Sequence, residues 1–114
     1  MDFEKLEVWK KSSRLSADLY IYFKCCKDFG FKDQITRSGL SVPSNIAEGM
    51  TRETEREKYR YLSIAKGSCA ELRTQIYIGI EVQYIEKETG TTWLNQTRHI
   101  AAMLEGLMKK LKPR

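Results

Sequence analysis

The chain has 114 residues, with 20 Lys plus Arg against 15 Asp plus Glu and one histidine, for a formal charge of +5 and a pI near 9.2. That length holds one domain, spanning residues 1–114, because two independent cores would each fall near the practical size limit. A composition 41% hydrophobic and 31% charged excludes a disordered chain; no apolar run approaches the roughly 20 residues of a membrane helix, and a lone imidazole disfavours many enzymes.

Four segments carry helical periodicity and none reads as a strand. The chain begins Met1-Asp2-Phe3-Glu4-Lys5, charged and without a signal-peptide apolar stretch, so a cytoplasmic location is expected. In the first segment Val8, Ser12, Leu15, Leu19, Tyr22 and Cys26 step by four and three. A parallel stripe runs Leu6, Trp9, Ser13, Ser16, Tyr20, Phe23, which makes a face wide enough for more than one neighbour. Gly30 is the expected stop.

The second segment runs from Phe31 to Met50, with Ile35, Gly39, Val42, Ile46 and Gly49 on one face. Pro43 lacks an N–H and crowds the carbonyl four residues back. Ser38 and Gly39 are small there, so a kinked helix is expected, with a break at Ser41-Val42 as the alternative. The third opens on the capping box Thr54-x-x-Glu57 and continues as Tyr59, Leu62, Ala65, Cys69, Leu72, Ile76, Gly79, Gln83. Gly67 and Gly79 weaken it unless close packing compensates. Gly90 is the expected terminator, after which Thr91 or Thr92 caps a fourth helix with Trp93, Thr97, Ile100, Leu104, Leu107 and Leu111. Short links between long helices predict an all-α, antiparallel up-down-up-down four-helix bundle.

The search for chemistry is largely negative. Cys25, Cys26 and Cys69 form no closed disulfide set and read as reduced, buried structural thiols. Zinc would need a fourth ligand at a suitable spacing, and a di-iron bundle needs Glu-x-x-His pairs, whereas Gln96 precedes His99 by three. No phosphate-cradling glycine loop occurs, His99 reads as a surface residue, and Glu48 and Glu71 are not placed in one cleft by spacing. Neither catalytic residues, cofactor nor metal is expected.

The most distinctive stretch is Val42-Pro43-Ser44-Asn45-Ile46-Ala47-Glu48-Gly49. Asn45 and Glu48 are three apart, as are Ser68 and Glu71, beside apolar stripes on two helices. With Arg37 they are the candidates for an interhelical polar network that sets register, or else for a docking site. Basic residues cluster as Lys10, Lys11 and Arg14; as Arg52, Arg56 and Arg60; and as Lys109, Lys110, Lys112 and Arg114. Such groups suit phosphate contacts, although Glu7, Asp18, Glu53, Glu55 and Glu57 interleave with them as on any solvated helix.

Leu6-Glu7-Val8-Trp9, Gln34-Ile35-x-Arg37, Ser41 through Gly49, and Tyr61 through Leu72 together resemble the bacterial four-helix-bundle proteins of the 23S rRNA intervening-sequence type. Similar proteins include the accessory variability proteins of diversity-generating retroelements. The resemblance implies a bundle that assembles as a homopentamer, with no established activity for most members and no catalytic residues to carry over. Thr36 departs from a second basic residue before Arg37, and Ser38-Gly39 replaces bulkier residues. The expected function is a non-enzymatic, homo-oligomeric module contacting structured RNA or a ribonucleoprotein, with no membrane partner. The alternative is a protein scaffold using exposed Tyr20, Tyr77 or Tyr84.

Overall fold

Helix starts are set by side chains that accept the first free backbone N–H groups. Asp28 accepts from the Phe31 N–H at 3.1 Å, and Thr54 accepts from the Glu57 N–H at 3.1 Å. These caps open the second and third of four helices: α1 (Glu7–Tyr22), α2 (Phe29–Met50), α3 (Glu55–Glu81) and α4 (Lys87–Leu111), preceded by a 3-10 turn at Phe3–Lys5. The structure is a computed structural model and describes residues 2–111, in which no strand occurs.

Each helix packs on the next, α4 closes against α1, and no diagonal pair of helices comes within 8 Å between Cα atoms among the described residues. The links are short, residues 23–28, 51–54 and 82–86. Tyr84 in the third link donates to Asp28 in the first at 2.9 Å, so both lie at one end. The middle link and the outer ends of α1 and α4 lie at the other. The architecture is the antiparallel four-helix bundle, 45 × 22 × 19 Å in extent.

The stripes meet in one core. Leu19, Ile35, Ile46, Leu62, Leu72, Ile76, Ile100 and Leu104 are fully buried, each worth about 1.5–3 kcal/mol of transfer free energy. Phe23 stands edge-on to Tyr22 and Phe31 and caps the core beside Trp93. Thr97 is the buried polar member of the α4 stripe. Its hydroxyl donates to the Leu94 carbonyl at 2.7 Å and accepts from Arg73 Nε at 3.2 Å. Pro43 is buried inside α2, which continues through it as one helix as expected, and the alternative of a break at Ser41-Val42 does not occur.

Two expected boundaries are corrected. α1 ends at Tyr22, and Gly30 lies in the first turn of α2, because the Asp28 cap starts that helix before the glycine. α3 ends at Glu81 rather than Gly90, with Gln83 in the left-handed region at φ 66°. The Tyr84 and Ile85 N–H groups then both return to the Gly79 carbonyl, at 2.8 and 3.1 Å. Thr91 and Thr92 donate back to the Lys87 and Glu88 carbonyls within α4 instead of capping it. The cysteines also separate. Cys69 is fully buried, donates to the Thr97 carbonyl, and has its thiol pKa pushed up by that burial. Cys25 is exposed and Cys26 half-buried, since the early end of α1 leaves both in the link.

The expectation that packing compensates both glycines of α3 holds for one. A Cβ on Gly79 would meet Ile85 Cδ1 at 2.4 Å and Cγ1 at 2.9 Å, whereas one on Gly67 would meet nothing within 4 Å. Gly79→Ala is expected to lower unfolding free energy by about 1–3 kcal/mol through overpacking. Gly67→Ala is expected to raise it by up to about 1 kcal/mol through helix propensity. Urea denaturation at constant m-value distinguishes the two.

The link-to-link hydrogen bond generates a pH dependence. The Phe31 N–H, and after it the Tyr84 hydroxyl, hold the Asp28 carboxyl below its ordinary 3.8. A depressed folded value means that the stabilisation is present above the unfolded value and is lost as pH falls through the folded one. The same bond pushes Tyr84 above its ordinary 10, so its share is lost only in alkali. Tyr84→Phe is therefore expected to lower the thermal midpoint at neutral pH, with the difference from the parent closing below pH 3.8. A difference that persists undiminished in acid would show that the Tyr84 contribution does not run through the ionised Asp28 carboxylate.

Candidate functional site

α1 packs on α4 less extensively than any other helix pair in the ring does, and a cleft of about 260 Å³ opens along that seam. Lys10, Lys11 and Arg14 form the α1 wall, and Gln96 and His99 form the α4 wall. Leu15 and Ile100, one from each helix, form the floor. Helical geometry explains the walls: Lys10 and Arg14 are four apart, Gln96 and His99 three apart, and each pair shares a face. Arg14 donates to Asp18 Oδ1 from Nε at 3.1 Å and Nη2 at 2.8 Å. That pair is exposed, so it contributes little stability and leaves Arg14 able to meet a ligand. His99 is exposed, as expected; its place opposite the α1 lysines depends on helix register, which no spacing in the sequence reports.

The other basic candidates take different positions. Arg52 lies in the α2–α3 link, not on α3. It pairs with Glu48, donates to the Tyr61 hydroxyl at 3.2 Å, and lies 4.8 Å from the Tyr61 ring centre. The Glu48 bond pushes its pKa up, so it is a held charge. Arg56 and Arg60 are exposed on the first turns of α3, and Lys109 and Lys110 on the last turn of α4. The antiparallel order places these residues at the same end of the bundle as the start of α1. Glu53, Glu55 and Glu57 stand among them. Lys112 and Arg114 lie outside the described residues.

The polar candidates divide into an α2–α3 network and two residues outside it. Asn45 Nδ2 donates to the Ser41 carbonyl at 2.8 Å and to Ser41 Oγ at 2.9 Å; that hydroxyl is 2.9 Å from Ser68 Oγ. One helical turn away Ser38 donates to Glu71 at 3.0 Å. Asn45, Ser68 and Glu71 are thus brought together through Ser38 and Ser41, which the spacing argument passed over because serine at mid-helix carries no distinctive pattern. Arg37 pairs with Asp33, and Glu48 with Arg52, both on the exposed surface. An open groove of about 490 Å³ runs over the network. Of the tyrosines proposed as contacts, Tyr20 is exposed, Tyr77 accepts from Arg98 at 2.6 Å, and Tyr84 holds Asp28. Among the described residues no group of three or more His, Cys, Asp or Glu is arranged to hold a metal ion.

The Ser41–Ser68 contact is the testable join. A double-mutant cycle of Ser41→Ala and Ser68→Ala is expected to give a coupling of about 0.5–1.5 kcal/mol, the net worth of one hydrogen bond. Additive losses would mean that the two hydroxyls act independently.

Comparison with known proteins agrees with this architecture. The structure is similar to the crystal structure of a protein with unknown function from the S23 ribosomal protein family of Bacteroides thetaiotaomicron. The TM-score is 0.84 at 25% identity, covering 90% of this chain and 98% of that one. No curated protein matches. The model of the 23S rRNA-intervening sequence protein family matches residues 4–106, and the chain belongs to that family.

Proposed function

We propose that this protein is a non-enzymatic, homo-oligomeric binding module of the cytoplasm that contacts RNA or a ribonucleoprotein through repeated basic patches. The observation that carries the reading is the convergence of Lys10, Lys11 and Arg14 on one cleft. Arg56, Arg60, Lys109 and Lys110 add exposed cations toward the same end of the bundle. Cations so grouped suit phosphate oxygens, which confer affinity and salt dependence without sequence information. A charge of +5 is modest on one chain. A symmetric assembly repeats each patch, and weak contacts then add through multivalency. Pentameric assembly is the form that family resemblance suggests, and exposed Phe29 and Ile21, at 72% and 66%, supply apolar surface for association.

A second reading rests on a separate observation. Tyr20, Phe29 and Leu40 surround a groove of about 660 Å³ between α1 and α2, which would suit a protein partner with no nucleic acid involved. Copurification with and without nuclease separates the readings, because a partner that survives nuclease favours the scaffold.

Binding of a structured RNA is expected at low salt and is expected to weaken steeply as salt rises. Lys10→Ala and Lys11→Ala should each reduce the log-log salt slope by about 1 if each lysine meets one phosphate. Undetectable affinity at low salt, or affinity indifferent to salt, would remove the RNA reading. Native mass spectrometry at micromolar concentration should show an oligomer, and a purely monomeric spectrum would remove the multivalent argument.

A further inference from the structure

The α1–α4 cleft is built for more than a phosphate. A bare phosphate site needs donors, but this cleft is also lined by carbon, since Leu15 and Ile100, only 2–3% exposed, close its base between the long side chains of its walls. Its α4 wall carries Gln96, whose amide both donates and accepts, and His99, whose imidazole presents a flat π face. Its volume, about 260 Å³, falls just below the roughly 300–1,000 Å³ of sites that enclose a whole drug-sized molecule. That space suits one planar base with its attached phosphate outside.

We infer that the cleft takes a single unpaired nucleotide of RNA, with the base against the exposed His99 ring and the phosphate on Lys10, Lys11 and Arg14. The inference rests on the RNA reading above and names the class of RNA: single-stranded or looped. The base stacks on the His99 ring, and the Gln96 amide pairs with its edge. Arg14 spends its Nε donor and one Nη2 donor on Asp18. Of the five guanidinium donors, three remain for a phosphate. A duplex cannot occupy the site in this way, because its bases are stacked inside an A-form helix and present only backbone and groove edges. Unpaired RNA can splay a base outward, and stacking on a side chain is sequence-tolerant because every base has a π face.

The test compares an unstructured single-stranded RNA with a blunt RNA duplex of equal phosphate number, by fluorescence anisotropy at low salt. Gln96 and His99 are exposed, and neither side chain hydrogen-bonds another described residue, so Gln96→Ala/His99→Ala should leave the helical circular dichroism unchanged. That double variant is expected to weaken single-strand binding about five- to tenfold while leaving duplex binding within about twofold. Lys10→Ala/Lys11→Ala is expected to weaken both. Salt-dependent binding of both RNAs by the parent, with no selective loss in the Gln96/His99 variant, would overturn the nucleotide site and leave the RNA reading standing. Absence of binding to either RNA by the parent would overturn the RNA reading, and the nucleotide site with it.

Discussion

Close approach of neighbouring helices at residues without side chains is the constraint on which the bundle depends. The buried Leu19 of α1 lies over Gly39 of α2, Tyr61 of α3 over Gly49 of α2, and Ile80 of α3 over Gly90 of α4. A Cβ at any of these glycines would fall 2.4–2.7 Å from the facing side chain. Each sequential seam therefore has a point where a side chain of one helix fills the gap left on the other. Such a contact fixes spacing and axial register together, because sliding by one residue replaces the bare position with a side chain. α1 contains no glycine and its seam with α4 has no such contact. That seam packs less extensively, and the cleft opens there.

Polar contacts reinforce the same geometry. The Ser41–Ser68 and Ser38–Glu71 bonds join α2 to α3, and Arg73 and Cys69 join α3 to α4 at Thr97. None of these partners is an isolated buried charge: Glu71 is exposed, and Arg73 is half-buried against a hydroxyl. The bonds thus escape the desolvation cost of burying a charge and give direction to helices that apolar packing alone would leave freer to slide. The core is thereby committed to packing. Chemistry toward another molecule is left to the seams, the ends and the outer faces.

The sequence and the structure part company where local rules compete with packing. Gly90 looks like a stop because glycine ends many helices, yet it lies inside α4 under Ile80. The turn that does end α3 uses Gln83, a residue with no turn signature, in the left-handed region. Ile85 explains the exchange: it covers Gly79 and is buried to 2%, so burial outweighs the strain of one residue at positive φ. Thr54 and Asp28 behave otherwise, because a cap acts through its own backbone within one turn. The Thr54 cap is accordingly legible without the tertiary structure. Half of the candidate cleft was legible too, since Lys10, Lys11 and Arg14 share one helix face; Gln96 and His99 became members only when α4 was placed beside α1.

The sequence by itself determined the number of helices, their buried stripes, the all-α antiparallel class, and the residues that mark the family. All of these follow from periodicity within one helix or from patterns local in the chain. Only the tertiary structure decided which glycines separate helices and which are bare surface, which serines complete the α2–α3 network, and which side of the bundle opens as a cleft. The physical reason is that a period near 3.6 names the face a helix buries but not the height at which a neighbour meets it. That height is set by the fit of Leu19, Tyr61 and Ile80 against three glycines, and it exists only once the helices are together.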